Sequence, residues 1–209
     1  MENVNVFKHN SIKIVNNNLN IYIDPFRIDV ISNDADIIFI THSHYDHFSI
    51  DDIMNIKKDT TKIVSTKDTY KELKNYFKEE DILIIEPNNN YNILGINFST
   101  VRAYNVTKEF HPIGNDWVGY ILNIDDKKYY IMGDTDVNED NSNIECDVLF
   151  VPIGGTYTMD YKEAADYTNS INPSVVIPTH YGLIVGDIDL GSKFKELINF
   201  NIKCGLYIK

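Results

Sequence analysis

Short apolar runs alternate with polar turn segments along most of the chain, and this pattern predicts a protein rich in β-strands. The runs are enriched in Ile, Val and Tyr and are bounded by Asn, Asp or Gly, which is typical of strands. Strands are predicted at 11–15, 19–24, 36–41, 62–65, 81–86, 96–103, 118–124, 128–134, 147–153, 175–180 and 204–209. Neighbouring strands within 11–24, 91–103 and 118–132 are predicted to pair as hairpins.

Four other segments have the apolar spacing of amphipathic helices. These helices are predicted at 50–58, 66–78, 161–171 and 192–200. Thr66 and Ser192 are placed to cap the second and the fourth of them. Because helices follow strands in both halves of the chain, the pattern predicts a layered α/β sandwich. No linker or repeat interrupts it, so one domain over 1–209 is expected.

Composition and charge narrow the class of partner. The net charge is −12, and no tract of Lys or Arg stands out, which disfavours nucleic acid. The chain shows neither a signal peptide nor an apolar run of membrane-spanning length. Its two cysteines, Cys146 and Cys204, lie outside any metal-binding spacing. We therefore expect a cytoplasmic protein with a small-molecule substrate and no membrane partner, while the oligomeric state stays undetermined.

Candidate metal ligands follow the predicted strand 36–41, where the chain reads THSHYDH. Side chains two residues apart at a strand end point the same way, so His42 and His44 can share one ion. Asp46 and His47 lie on the turn into the next helix and can approach the same place. Imidazole and carboxylate groups suit zinc, manganese or iron. Three unrelated surface histidines are the competing interpretation, which this spacing disfavours.

Two further polar residues end predicted strands in the same manner. Asp134 follows an apolar strand and Gly133, and His180 ends the strand at 175–180. Singly, each is more typical of a turn acid or a core histidine. Together with the segment at 42–47, they predict one set of ligands at the ends of strands.

These motifs resemble those of the metallo-β-lactamase superfamily. THSHYDH matches the HxHxDH signature, GDT at 133–135 matches the bridging acid, and PTHYG at 178–182 matches the last histidine. The similarity extends from YIDPF at 22–26 to PIGGTYTMD at 152–160, and is to small stand-alone hydrolases related to the L-ascorbate-6-phosphate lactonase group. It implies an αββα four-layer sandwich of two mixed sheets flanked by helices.

The resemblance also implies a centre with two divalent metal ions, expected to be zinc, with manganese or iron as alternatives. It assigns His42 and His44 to the first ion, Asp46, His47 and His180 to the second, and Asp134 to both. A hydroxide that bridges the two ions would cleave an ester, lactone or phosphoester of a small, anionic metabolite. Asp46 would also act in catalysis by orienting this hydroxide.

The sequence departs from the family at the third motif, which places a histidine on the first ion. Asn105 stands where this loop begins, and His111 comes six residues later. Histidine is the better zinc ligand and favours His111, whereas alignment favours Asn105, and a water at this position is a third possibility. His111 is therefore included in the predicted ligand set, and Asn105 and Asp24 are candidates for supporting the ligands.

Some residues near these motifs have weaker assignments. Tyr157 and Tyr181 adjoin the site loops and are candidates for binding the substrate. Gly154 and Gly155 either offer backbone N–H groups to an anion or form a tight turn. His9 has no partner pattern, so we interpret it as a structural or surface histidine.

Three alternative functions stay open. A phosphodiesterase or nuclease would use the same ligands, although the absence of a basic tract counts against long nucleic acids. Oxidative chemistry at a di-iron pair is disfavoured because related di-iron proteins carry an acid where this chain has His44. A non-catalytic module that keeps a metal for structure is the last alternative.

Overall fold

The computed structural model describes residues 1–208. The chain forms two compact units, and the boundary between them in the sequence follows Glu86. Each unit contains a mixed β-sheet of its own. Lys209, the last residue of the predicted strand 204–209, lies outside the described residues. That the whole chain acts as one domain stays a prediction.

The first unit contains a six-stranded sheet in which the strands lie side by side in chain order. Its strands are β1 (Val4–Val6), β2 (Ile12–Asn16), β3 (Leu19–Ile23), β4 (Ala35–Phe39), β5 (Lys57–Ser65) and β6 (Ile82–Ile84). The first three pair in antiparallel fashion, and β3 to β6 pair in parallel. The β1 strand escaped the sequence patterns, because three residues are too few to show an alternation.

Two short helices accompany this sheet, α1 (Ile50–Ile56) and α2 (Tyr70–Leu73). The Ser49 hydroxyl caps α1 by accepting the backbone N–H of Asp52. Ile53 and Ile56 are buried in a core that also contains residues of β4 and β5. Burial of this apolar face, and not the length of the helix, therefore stabilises α1.

The helix predicted at 66–78 is much shorter in the structure. A 3₁₀ turn at Lys67–Thr69 leads into the single turn of α2. Thr66 makes no capping bond, since its hydroxyl donates to the Asp68 side chain. Because no side chain caps the segment, its α-helical part is the single turn that buries Leu73, and backbone hydrogen bonds continue from it as turns to Phe77.

The second unit contains a seven-stranded sheet. Its strands are β7 (Asn90–Ile93), β8 (Ile96–Arg102), β9 (Val118–Ile124), β10 (Lys127–Ile131), β11 (Val148–Pro152), β12 (Val175–Thr179) and β13 (Lys203–Cys204). They too lie in chain order. Strands β7 to β10 are antiparallel and β10 to β13 are parallel, so both units combine hairpins with a parallel portion.

Two helices belong to the second unit, α3 (Tyr161–Ile171) and α4 (Leu190–Leu197). A capping box between Asp160 and Glu163 begins α3, which packs against β11 and α4. The predicted cap at Ser192 is wrong, because α4 begins at Leu190 and Ser192 lies inside it. Gly191 is then in the first turn, where the Tyr181 hydroxyl packs too closely for any larger side chain.

The ends of three buried strands position the polar segments of interest. Thr41 follows β4, Asp134 follows β10, and His180 follows β12 directly. The sequence placed the ends of these strands one to three residues beyond their observed ends. None of the helices within residues 1–208 has the length and apolar character required to cross a membrane.

Candidate metal centre

The segment after β4 forms a cluster of polar side chains within the first unit. Its backbone turns sharply, because the N–H groups of His47 and Phe48 both donate to the His44 carbonyl. Nε2 of His42 lies 3.1 Å from Nδ1 of His44, and Nε2 of His47 lies 3.8 Å from Oδ2 of Asp46. His42, His44, Asp46 and His47 are hereafter the first cluster.

Asp24 supports this cluster from the end of β3. Its buried carboxylate accepts hydrogen bonds from Asn10 Nδ2 at 2.8 Å and from the Thr41 N–H and hydroxyl at 2.8 and 2.7 Å. It also lies 2.8 Å from Nδ1 of His47. Because a carboxylate only accepts, it holds the proton of His47 on Nδ1 and leaves Nε2 as the ligand atom on the side of Asp46.

His9 belongs beside this cluster, although the sequence offered no sign of it. The side chain is buried, and its Nε2 lies 2.9 Å from Oδ2 of Asp46. The sequence suggested a structural or surface histidine. The structure instead shows that His9 contacts a predicted ligand directly. Its spacing from Asp46 along the chain matches no metal motif, and only the pairing of β1 with β2 fixes the turn that carries it.

A second cluster forms within the second unit and contains His111, Asp134 and His180. Oδ2 of Asp134 lies 2.9 Å from Nε2 of His180 and 3.3 Å from Nε2 of His111. All three side chains are at most 3% exposed. One carboxylate oxygen thus faces two imidazole nitrogens out of contact with bulk water.

The loop between β8 and β9 brings His111 to this carboxylate. The Asn105 N–H donates to the His111 carbonyl at 2.9 Å, which closes the loop. The Asn105 side-chain amide donates to the Tyr157 carbonyl at 2.7 Å and lies 3.3 Å from Nδ1 of His111. The Asn105 amide therefore lies against the imidazole, and its supporting role stays a prediction.

Tyr157 and Tyr181 are placed differently with respect to the second cluster. The half-buried Tyr157 ring packs edge-on against the ring of Phe110, which lies in the loop between β8 and β9, with 4.6 Å between ring centroids. Tyr181 is 1% exposed, and its hydroxyl packs against Gly191 in α4. Burial raises the pKa of the Tyr181 hydroxyl to about 12. The structure thus gives Tyr181 a packing role, and its predicted contact with a substrate gains no support.

The two cysteines remain outside both clusters. Burial raises the pKa of the Cys146 thiol to about 12 and that of Cys204 to about 11. At neutral pH both thiols therefore stay protonated, whereas a metal ligand or nucleophile must be a thiolate.

Backbone strain marks both clusters. His9, His111 and His180 each have a φ of 58°, and Asp24 has a φ of 45°. A left-handed conformation costs a residue with a side chain about 1–2 kcal/mol. Such strain persists where the surrounding structure enforces it, and it concentrates at functional sites.

The absence of a side chain at Gly154 leaves space for His180 of the second cluster. A Cβ atom at this position would collide with the His180 carbonyl oxygen and would lie 2.7 Å from Cγ1 of Val185. We expect Gly154→Ala to lower the free energy of unfolding by about 1–3 kcal/mol and to displace His180. Urea unfolding and zinc titration measure the two effects. Gly114→Ala is the matched control, because a Cβ there meets nothing within 4 Å, and equal midpoints for the two variants would refute the expectation.

The chemistry of the donor sets fits a divalent transition metal. Each cluster offers imidazole nitrogens next to a carboxylate oxygen, which is the combination that zinc, manganese and iron bind. Oδ1 of Asn105 is also buried, and it makes no hydrogen bond with any described residue. Burial of these groups is expensive unless they are paired or bound to an ion.

Comparison with known proteins gives both a family and a fold. A family model described as the beta-lactamase superfamily domain matches residues 3–180. A UPF0173 metal-dependent hydrolase of Thermococcus onnurineus is 34% identical over 178 residues, which are 79% of this chain and 75% of that protein.

Two solved structures are similar over nearly the whole chain. A candidate metal-dependent hydrolase from Parabacteroides distasonis has a TM-score of 0.82 and 26% identity, with 99% of this chain and 93% of that chain covered. The metallo-β-lactamase fold protein YhfI from Bacillus subtilis has a TM-score of 0.71 and 9% identity, with 95% and 89% covered. Together with the two mixed sheets and their helices, these likenesses confirm the fold class predicted from the sequence.

Proposed function

This chain belongs to the metallo-β-lactamase superfamily and to its UPF0173 metal-dependent hydrolases, and from that premise we propose that it hydrolyses a small ester, lactone or phosphoester with two divalent ions. Zinc is the expected metal. The proposal extends the family's metal-dependent hydrolysis to a particular number of ions and a particular class of bond.

One observation carries the proposal most directly. Oδ2 of Asp134 faces the Nε2 atoms of His111 and His180, at 3.3 and 2.9 Å, and all three side chains are buried. A carboxylate that lies between two imidazoles can bind two ions, each of which also takes one of the imidazoles. In the ligand set that we propose, the first ion is held by His42, His44, His111 and Asp134, and the second by Asp46, His47, His180 and Asp134.

The residues of the chain prepare these ligands for the reaction. When bound, two divalent ions would lower the pKa of a water molecule to near neutrality and polarise the oxygen of the scissile bond. Asp24 fixes the tautomer of His47, and the Asn105 amide contacts the His111 ring. Asp46 is the carboxylate that we assign to orient the attacking water by accepting its hydrogen bond.

A cleft in the second unit suggests where part of the substrate binds. It has a volume of about 530 Å³, which suits a small metabolite. Its lining includes Val106 and Asp136, close in the chain to Asn105 and Asp134, and also Glu163 and Asp166. Lys108 pairs with Asp136 and lies 3.9 Å from Glu163, so the three carboxylates outnumber this cation and disfavour an anion. Among the three classes of bond, we therefore favour a neutral ester or lactone over a phosphoester, in place of the anionic metabolite expected from the sequence.

The test is a metal analysis combined with a substrate panel. The purified protein is assayed for bound metal, then for hydrolysis of a p-nitrophenyl ester, a lactone, p-nitrophenyl phosphate and bis-p-nitrophenyl phosphate. We expect about two equivalents of zinc per chain and turnover of the ester or the lactone. Treatment with a chelator should remove this turnover, and added Zn²⁺ should restore it, because the water is activated only when the ions are bound.

Calcium serves as the control ion, since imidazole ligands bind it poorly and it should not restore activity. A protein that contains no transition metal, or one whose turnover survives chelation, would contradict the proposal. Turnover of bis-p-nitrophenyl phosphate alone would assign the chain to the phosphodiesterases.

A further inference from the structure

We propose that His9 is a positioning residue of this centre, which donates from Nε2 to the Asp46 carboxylate and fixes its orientation towards His47. The proposal rests on the proposed function, since it gives Asp46 its part in metal binding. It adds a residue from the N-terminal hairpin to a set that otherwise follows the HxHxDH motif and later strand ends.

The direction of the hydrogen bond follows from the chemistry of the two groups. Nε2 of His9 lies 2.9 Å from Oδ2 of Asp46. The same oxygen lies 3.8 Å from Nε2 of His47, so it stands between the two rings. Because an ionised carboxylate can only accept, the Nε2 of His9 carries the proton. His9 then holds this oxygen at a fixed distance from the ligand atom of His47.

The turn between β1 and β2 is built to deliver this side chain. The Phe7 N–H donates to the Ser11 carbonyl, and the Ser11 N–H donates to the Lys8 carbonyl, both at 2.9 Å. Within this closed turn His9 adopts a left-handed φ of 58° and is fully buried. A histidine needed only for packing would have no reason to accept a conformation that glycine or asparagine adopts at lower cost.

The same turn holds a second carboxylate of the site. Asn10, the next residue, donates to Oδ2 of Asp24 at 2.8 Å, and Asp24 in turn fixes His47. One turn therefore orients His47 through Asp24 and orients Asp46 directly. The His9 and His47 rings also meet edge-on, with 5.7 Å between their centroids. His9 thus contacts both Asp46 and His47, the two predicted ligands that follow Tyr45.

Substitutions of His9 by side chains of different length test this role. His9→Gln places an amide N–H near the position of Nε2, whereas His9→Asn keeps an amide and tolerates a left-handed φ but is too short. His9→Ala removes the donor, and Lys8→Ala is the control, because Lys8 is exposed in the same turn. The measurements are Co²⁺ and Zn²⁺ affinity, the visible spectrum of the Co²⁺ protein, and kcat and KM on the ester or lactone.

We expect His9→Ala and His9→Asn to bind one equivalent of metal about 10–100-fold more weakly, with an altered Co²⁺ spectrum and a lower kcat at nearly unchanged KM. His9→Gln should recover most of the affinity and the spectrum, and Lys8→Ala should match the wild type. Unfolding midpoints of the metal-free variants identify any loss that comes from folding. Wild-type affinity and spectrum in His9→Ala, or no recovery in His9→Gln, would overturn the proposal.

A measurement without metal separates this proposal from the proposed function. The ring ¹⁵N NMR signals of His9 in the metal-free protein should show a proton on Nε2, and Asp46→Asn should shift them. A proton on Nδ1 would overturn the role of His9 even if the protein is a zinc hydrolase. If the wild type binds no metal while the Nε2 proton is present, the proposed function fails and the hydrogen bond from His9 to Asp46 stands.

Discussion

A protein with Asp134→Asn is expected to lose at least about 10³-fold in kcat/KM, which corresponds to about 4 kcal/mol of transition-state stabilisation. The substitution keeps the shape of the side chain but removes the charge that faces His111 and His180. Since Asp134 is the ligand assigned to both ions, we also expect the zinc content to fall. Kinetics on the ester or lactone and elemental analysis measure the two losses.

The control for this substitution is Asp140→Asn in the same loop. Asp140 is only partly buried and accepts from the Asn88 side chain at 2.5 Å, away from the ligand groups. It should retain wild-type turnover and zinc. Full activity and full metal content in Asp134→Asn would exclude the proposed ligand set.

The second large effect is expected for Asp24→Asn, and it concerns stability. The Asp24 carboxylate is fully buried and faces four donor atoms, from Asn10, Thr41 and His47. An asparagine amide would point N–H groups at some of these donors and leave them without an acceptor. We expect the free energy of unfolding to fall by about 3 kcal/mol, because each unsatisfied buried donor costs about 1–3 kcal/mol.

Urea unfolding of the metal-free proteins measures this effect without a contribution from bound ions. Asp36→Asn is the control, since Asp36 accepts from the Asn20 N–H and pairs with Lys58 nearer the surface. Its loss should stay within about 1 kcal/mol. If Asp24→Asn and Asp36→Asn unfold at the same urea concentration, the Asp24 network is not the stabilising element that its geometry indicates.

The fold was accessible from the sequence wherever an element is long and its apolar positions are regular. The strand predicted at 118–124 and the helix predicted at 161–171 coincide with β9 and α3. The errors lie in short elements and where a strand begins with polar residues. β5 starts at Lys57, five residues before the strand predicted at 62–65, and β13 has only two residues. The predicted helix at 66–78 retains only one α-helical turn, because its apolar stripe is real but no side chain caps it. Apolar periodicity predicts a buried face, whereas the length of a helix also depends on how its ends are satisfied.

The ligand candidates were visible for a related reason. His42, Asp134 and His180 follow strands that contain an uninterrupted apolar run, so a polar side chain just beyond this run stands out in the sequence. The choice between Asn105 and His111 was not visible. The structure shows the His111 imidazole beside Asp134 and the Asn105 amide bonded to the Tyr157 carbonyl, across 52 positions of the chain.

The sequence by itself determined the strand-rich α/β architecture, the HxHxDH segment and the acid and histidine at later strand ends, because all of these are local patterns. Only the tertiary structure decided that His9 contacts Asp46, that Asp24 receives four donors, and that the Asn105 amide contacts His111. Each of these contacts joins residues whose separation is set by strand pairing and loop closure. Sequence spacing carries no record of such contacts, because the distance between two side chains is fixed only when the backbone between them has folded.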